Sequence, residues 1–124
     1  QIRQHYESMF LWPKPDGDLE ARLFDYINVL SNAFERLKRP MLSTQFQMWQ
    51  SKALQKNWAR NQRRLRNHLE KWVPELPALP QAQREAVHAV TSFDMWHRLR
   101  HHQSLSINDA REAMLALMLG VLNN

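Results

Sequence analysis

The most constraining feature of this sequence is an apolar run close to its end. Every residue from Ala113 to Leu122 is apolar or glycine, so these helical turns offer no polar face of the kind that a surface helix keeps toward water. The run has ten residues, about half of the roughly 20 needed to cross a bilayer, which argues against membrane insertion. A chain of 124 residues can scarcely build a core that surrounds a helix. We therefore expect one side of this helix to face the chain's own core and another to face a second protein.

The overall composition predicts a single all-helical domain over residues 1–124. Of these residues 44% are hydrophobic, only two are glycine, and no segment reads convincingly as a strand. The formal net charge of +5 is concentrated only locally, so it does not by itself select an anionic partner. The chain has no cysteine, which excludes a disulfide framework and a thiolate zinc site, and no signal peptide or membrane span is visible. We therefore expect a cytoplasmic protein without a membrane partner.

The spacing of apolar residues and prolines predicts where the helices begin and end. Pro13 ends a first helix, and Pro40 separates a second helix from a third. The three prolines within residues 74–80 predict an extended connection, and Ser106 is the predicted N-cap of the last helix. The predicted helices cover residues 1–12, 18–39, 41–52, 53–73, 81–102 and 106–122, with an interruption of the fifth considered at Thr91 and Ser92.

Four arginines on the predicted fourth helix suggest a nucleic-acid surface. Guanidinium groups contact phosphates, and Trp58 on the same helix offers a ring that can stack on a base. However, Leu65 and Leu69 continue the Trp58 stripe, which favours a helix whose apolar side faces the core and whose arginines face water. We favour this plainer interpretation and rank nucleic-acid binding last. The four arginines are Arg60, Arg63, Arg64 and Arg66.

Candidate catalytic and metal-binding residues are few. His97 and His101 have the spacing at which two imidazoles can share a metal ion, and His102 lies beside them. No third ligand completes a metal motif, so we favour a surface or interface cluster and predict no metal site. Gly17 and Gly120 are the only glycines, which excludes a phosphate-binding loop, and no nucleophile or carboxylate pair stands in a recognisable setting. We therefore predict no catalytic residue, no cofactor and no enzymatic activity.

Bulky aromatic and thioether side chains are frequent, with five tryptophans and six methionines. Several of them fall on predicted helices that could surround a cavity, and such side chains line apolar ligand sites. An ordinary helical core uses the same residues, and on the sequence alone we favour that interpretation. The candidate ligand-binding residues are Trp12, Phe34, Phe46, Met48, Trp49 and Trp58.

The segment from Leu79 to Leu122 carries a more specific pattern. It contains Leu-Pro-Gln-Ala-Gln-Arg-Glu-Ala, then Thr-Ser-Phe-Asp-Met-Trp-His-Arg-Leu-Arg, then Gln-Ser-Leu-Ser, with Asp-Ala-Arg following. This segment, about a third of the chain, resembles the C-terminal half of bacterial transcriptional regulators of the tetracycline-repressor (TetR) family. Upstream, only the order and lengths of the helices agree. The matching residues are Phe93, Trp96, Leu99 and Arg100 on the penultimate helix, and Leu105, Ser106 and Ala110 at the start of the last.

One position in this segment departs from the family pattern. Ser104 stands where members often carry glycine, which lets the first helix of the pair end in a left-handed residue. Serine tolerates that backbone conformation less well than glycine does.

The resemblance implies an all-α fold, about a six-helix orthogonal bundle of the TetR C-terminal type. In such proteins the last two helices form a four-helix dimer interface with their two-fold mates, and the preceding helices enclose an effector pocket. Residues 1–12 would end the helix that connects this domain to a helix-turn-helix, which we expect to lie outside this chain and to make the DNA contacts. The dimer-interface residues predicted in this way are Phe93, Trp96, Leu99, Arg100, Ala110, Met114, Leu117, Met118 and Val121.

The resemblance leads to one functional expectation, and the residues leave one alternative open. We expect a homodimeric, effector-sensing domain of a TetR-like repressor, in which a small hydrophobic ligand changes operator binding by altering the spacing of two DNA-reading units. The alternative is a helical adaptor that binds a different protein through the same C-terminal apolar surface.

Overall fold

The computed structural model describes residues 10–123, which form five α-helices and contain no strand. A 3-10 turn precedes the third helix, and a π-helical turn extends the fourth. The all-α prediction is confirmed, and no helix in the described range is long and apolar enough to span a membrane. The elements are α1 (Leu19–Met48), α2 (Lys52–Trp72), the 3-10 turn (Leu76–Ala78), α3 (Gln81–Val90), α4 (Phe93–His97), the π turn (Arg98–His102) and α5 (Ile107–Leu122).

The long helix α1 is the centre of the fold because one of its faces is buried along much of its length. Leu23, Ile27, Leu30 and Phe34 recur at three- and four-residue spacing and are almost fully buried. This helix packs against α2, α4 and α5, while α3 packs against α4 and α5. The main core therefore lies between α1 and the C-terminal helices.

Side-chain caps fix the starts of four helices. In each, an oxygen of the residue before the helix accepts a hydrogen bond from the backbone N–H three residues later, which satisfies a donor that the helix leaves unpaired. Ser106 does so from Asp109 at 3.1 Å, which confirms the predicted N-cap. Ser92 does so from Met95 at 3.1 Å, so the helical pattern is interrupted at Thr91 and Ser92. The other two caps are Asp18 and Ser51.

The predicted break at Pro40 is wrong, because α1 continues through this residue to Met48. Proline cannot donate a hydrogen bond to the carbonyl of Arg36, and a proline in a helix interior costs about 3 kcal/mol. Leu37 and Met41 are both buried on the core side, so their packing favours one continuous helix. Pro40 and Arg36 are exposed, where water can bond the released carbonyl. Burial on one side and hydration on the other therefore offset the local cost.

The proline-rich connection is also more ordered than predicted. Residues 76–78 form a 3-10 turn, with Pro77 in a position where the missing N–H does no harm, and Leu76 is fully buried. Arg22 of α1 holds this connection in place. Its Nη1 donates to the Trp72 carbonyl at 2.7 Å, and its Nη2 donates to the Glu75 carboxylate at 2.9 Å.

The predicted first helix lies mostly outside the described residues. Its last residues, 10–12, are not helical. The two prolines that follow at 13 and 15 disfavour helical backbone in the residues before them. Instead, Phe10 and Trp12 pack their rings against α1 and α2, at an edge of the core.

The turn between α4 and α5 contains a left-handed residue at Ser104, with φ of 58°. The N–H of Gln103 donates to the Arg98 carbonyl at 2.9 Å, and the N–H of Leu105 donates to the Leu99 carbonyl at 3.0 Å. These bonds close the π-helical turn and reverse the chain toward α5. Serine therefore adopts, in this turn, the conformation for which glycine is the usual residue.

Candidate functional site

A cavity of about 480 Å³ lies between the C-terminal part of α1 and α2, with residues 10–12 at its side. This volume falls in the range of roughly 300–1,000 Å³ that is usual for small-molecule sites. The cavity is therefore the strongest candidate ligand site among the described residues. Its lining consists of Phe10, Trp12, Leu37, Met41, Thr44, Leu54, Asn57, Trp58, Arg60, Asn61, Gln62, Arg64, Leu65 and His68.

The two helices contribute different walls to the cavity. Helix α1 contributes Leu37, Met41 and Thr44, none of which carries a charge. Helix α2 contributes apolar side chains together with a polar stripe that includes Asn57 and Asn61, one turn apart. The described lining residues include two arginines and no aspartate or glutamate. An apolar wall therefore faces a wall that is rich in hydrogen-bond donors and carries positive charge.

Trp12 joins the cavity to an aromatic stack. Its ring is stacked on Tyr26 at 4.8 Å and on His68 at 5.0 Å between ring centroids, and it is tilted against Trp72 at 6.1 Å. Burial lowers the pKa of His68 below its usual 6.5, and the nearby charge of Lys71 lowers it further. The imidazole is therefore neutral at pH 7, so it can both donate and accept a hydrogen bond.

The structure brings only some of the predicted ligand-binding residues to the cavity. Trp12 and Trp58 line it. Phe34 is buried in the core, where its ring meets Phe10 edge-on at 6.3 Å. Phe46 and Trp49 are 78% and 71% exposed near the end of α1, and Met48 is half-buried nearby without lining the cavity.

The sequence interpretation missed most of the cavity lining for a definite reason. With a helix break placed at Pro40, Leu37 and Met41 could not be assigned to one continuous face. On α2, the Leu54, Trp58 and Leu65 stripe was visible, but its spacing is the same whether it faces a core or a cavity.

The outer face of α3 and α5 is a second candidate surface. The two helices pack together, and Gln83 near the start of α3 donates to the Val121 carbonyl near the end of α5 at 3.5 Å. A Cβ added at Gly120 would meet nothing within 4 Å. The small-residue face of these two helices consists of exposed alanines, a glycine and one leucine. Its exposed residues, at helical spacing, are Ala82, Ala86 and Ala89 on α3 and Ala116, Leu117 and Gly120 on α5.

Most residues predicted to form a dimer interface lie instead in the core of the single chain. A side chain that is already buried in its own core has almost no surface left for a partner. Leu117 is 44% exposed and Val121 is half-buried, so these two remain accessible. The residues that face the chain's own core are Phe93, Trp96, Leu99, Ala110, Met114 and Met118.

Arg100, also predicted at the interface, belongs to a polar network centred on Glu35 of α1. Its Nε donates to the Glu35 carboxylate at 3.1 Å, and its Nη1 donates to the Leu105 carbonyl at 2.8 Å. The indole Nε1 of Trp96 donates to the same carboxylate at 2.8 Å. Partial burial by itself would raise the pKa of Glu35, but the hydrogen bonds from Arg100 and Trp96 lower it below its usual value. This network ties α1 to the turn before α5.

The histidines and arginines considered from the sequence lie in different settings in the structure. The ring centroids of His97 and His101 are 4.5 Å apart, but residues 10–123 contain no group of three potential ligands that could hold a metal ion. The arginines of α2 are divided among several roles. Arg66 pairs with Glu85 at 2.8 Å, Arg63 is exposed, and two others line the cavity.

Comparison of the chain with protein-family models, with curated proteins and with solved structures found no match. The likeness to TetR regulators therefore rests on the residue pattern of the segment from Leu79 to Leu122. The structure adds two features on which a proposal of function can rest, namely the cavity and the small-residue face of α3 and α5.

Proposed function

We propose that this chain is the effector-sensing and dimerising domain of a TetR-like DNA-binding transcriptional repressor. The cavity between α1 and α2 carries the proposal, because it has the size of a small-molecule site and an apolar wall suited to a hydrophobic effector. In this proposal the helix-turn-helix that reads DNA lies outside the chain. The proposal includes an orthogonal arrangement of about six helices of the TetR C-terminal type; the described residues form five α-helices.

Trp12 provides the proposed route from the effector to DNA binding. Its ring lines the cavity and stacks on Tyr26 and His68, so a molecule in the cavity touches the segment before α1 directly. An effector that favours one position of this segment shifts the spacing of the two DNA-reading units in a dimer. A preference of a few kcal/mol is sufficient to change operator occupancy strongly.

A neutral hydrophobic probe tests the effector site. N-phenylnaphthylamine becomes fluorescent in apolar sites, and we expect it to bind the wild-type chain. Thr44→Trp places a large side chain in the cavity and should abolish most of this signal. Ser43→Trp is the matched control, because Ser43 is exposed, adjacent in sequence and not part of the lining, and it should bind like the wild type. Equal binding by both variants would overturn the proposed effector site.

The small-residue face of α3 and α5 is the proposed dimer surface. Small side chains allow helices to approach closely, and a two-fold axis beside the α3 and α5 pair would generate a four-helix interface. We expect the chain to be a dimer by light scattering at micromolar concentration. Ala116→Glu places a charge on this face and should give a monomer, whereas Ala59→Glu on an exposed part of α2 should leave the dimer unchanged.

The alternative function, a helical adaptor, draws on the same exposed face. Leu117 and its small neighbours offer an apolar surface that does not require a two-fold partner. Met114→Glu cannot distinguish the two functions, because Met114 is fully buried and a charge there would destabilise the core. Light scattering on the wild-type chain does distinguish them. A monomer that stays a monomer when its concentration is raised favours the adaptor and contradicts the dimerising regulator.

A further inference from the structure

The charged and apolar residues that line the cavity define the chemical character of a ligand more closely than the cavity volume does. We infer that the cavity accepts an aromatic molecule carrying one anionic group, with the anion toward Arg60 of α2 and the apolar body toward Leu37 and Met41 of α1. This inference rests on the proposed effector site and names the chemical class of its ligand.

The arginines of α2 are not equivalent, and only two of them lie at the cavity. Arg60 and Arg64 are one helical turn apart, so they lie on the same side of α2 and both line the cavity. Arg63 is exposed and lies outside the lining, and the guanidinium of Arg66 is held by Glu85. The positive charge at the cavity therefore belongs to specific residues rather than to the basic character of the whole helix.

The anion would complement the guanidinium of Arg60, which the described lining residues do not neutralise. Arg60 donates from Nη1 to the Asn57 side-chain oxygen at 3.3 Å, and it forms no ion pair with another residue in the range 10–123. The side-chain amides of Asn57 and Asn61 add further donors on the same side of the cavity. A carboxylate or sulfonate can accept several of these hydrogen bonds at once, and a planar anion can accept two from one guanidinium.

The remaining lining residues indicate that the apolar part of the ligand is aromatic. Trp58 and Trp12 contribute indole rings, and Phe10 adds a third ring on the side of the terminal segment. Flat apolar molecules gain contact with such rings by offset or edge-on packing. The leucine and methionine side chains of the α1 wall adapt to the rest of the ligand surface. A single molecule can therefore bond to the donors of α2 and pack against the apolar wall of α1 only if it is polar at one end and apolar at the other.

A matched pair of fluorescent probes separates the charge from the shape. Anilinonaphthalene sulfonate and N-phenylnaphthylamine share the same ring system, but only the first carries an anion. We expect the wild-type chain to bind the sulfonate about tenfold or more tightly than the neutral amine, as for a charge-assisted hydrogen bond. The sulfonate affinity should fall as the salt concentration rises, while the neutral affinity should change little.

Two variants with the same change of charge assign the effect to the cavity. Arg60→Gln should weaken sulfonate binding by about tenfold and leave neutral-probe binding unchanged. Arg63→Gln removes the same charge from the same helix outside the cavity, so it should leave both affinities unchanged. Thr44→Trp should abolish binding of both probes. If that variant does not fold, as judged by its circular dichroism melting curve, Leu54→Trp blocks the cavity from the α2 side.

The outcomes separate this inference from the function on which it rests. Equal affinity of the wild type for the two probes, or equal effects of Arg60→Gln and Arg63→Gln, would overturn the anionic ligand and leave the effector cavity in place. Binding of both probes that persists when the cavity is blocked would overturn the effector cavity itself.

Discussion

The two regions on either side of α1 differ in how completely their helices are packed. Toward the C-terminal helices, the core is closed, with Met114 and Met118 of α5 fully buried and the Glu35 network joining α1 to the turn before α5. Toward α2, the only buried residues of the partner helix are Leu69 and Trp72, both in its last turns. Helix α2 is therefore fully buried only in its last turns, whereas Trp58 and Leu65, which line the cavity, pack against the core but are only half-buried.

The looser packing on the α2 side indicates which part of the fold can respond to a ligand. A closed core changes shape only at a high cost, because its side chains already interdigitate. The region around the cavity has fewer packing contacts to lose, and it also holds the aromatic rings of residues 10–12. In the proposed regulator, the C-terminal helices would hold the dimer rigid while the α1 and α2 region changes.

Replacing one apolar side chain by alanine on each side of α1 should give the largest difference in the free energy of unfolding. Met118→Ala removes a fully buried side chain from the closed core and should lower the free energy of unfolding by about 3 kcal/mol. Leu54→Ala trims a half-buried side chain that lines an existing cavity, and it should cost only about 1 kcal/mol. Urea denaturation followed by circular dichroism measures both. Equal losses would mean that the α1 and α2 region is as closely packed in solution as the other side.

The Glu35 network should give the next largest effect. The side chains of Glu35 and Arg100 are 21% and 22% exposed, so Glu35→Ala leaves a largely buried guanidinium and the Trp96 indole N–H without their acceptor. Complete burial would predict a loss of about 3–5 kcal/mol, and the residual exposure reduces our expectation to about 2 kcal/mol. Thermal and urea unfolding give the value. Asp25→Ala, on an exposed position of the same helix, is the control and should change stability little; a similar loss there would contradict the role of the network.

The sequence predicted the helices best where local chemistry decides the structure. The Ser106 cap and the interruption at Thr91 and Ser92 depend on neighbouring residues alone, and both are found. The passage of α1 through Pro40 depends on the burial of its flanking residues by other helices, which a local rule does not include. The same limit applies to the site, since the spacing of Trp58 and Leu65 cannot say whether a core or a cavity lies opposite.

The orientation of α5 illustrates a second limit of sequence patterns. Periodicity identifies a buried face by contrast with polar residues, and the run from Ala113 to Leu122 contains none. Met118 and Leu117 are neighbours in the sequence and about 100° apart around the helix, yet the first is buried and the second is half-exposed. Packing against α1 and α3 decides between them. The assignment of inner and outer faces therefore required the three-dimensional structure.

The dependence of stability on pH should also differ between the two sides of α1, and we expect this to be the smallest of the predicted effects. Burial lowers the pKa of His68 at the cavity below 6.5, so below that pH the unfolded chain binds more protons than the folded one and stability decreases as the pH falls. The pKa of His88 is lowered in the same direction, first by its burial and then by the charge of Arg66. In the closed region, the pKa of Glu35 is lowered from 4.5, so its contribution is lost only as the pH falls below that value.

Urea denaturation at about pH 7.5, 5.5 and 3.5 resolves these two windows. His68→Gln should reduce the loss of stability between the first two pH values, whereas Glu35→Gln should reduce the loss between the last two. Asn67→Gln is the control for the first window, because Asn67 is exposed beside His68 on α2 and carries no titratable group, so its replacement should leave the wild-type slope unchanged. If His68→Gln loses as much stability as the wild type between about pH 7.5 and 5.5, the imidazole is not desolvated in solution. The cavity is then more open to water than the structure indicates.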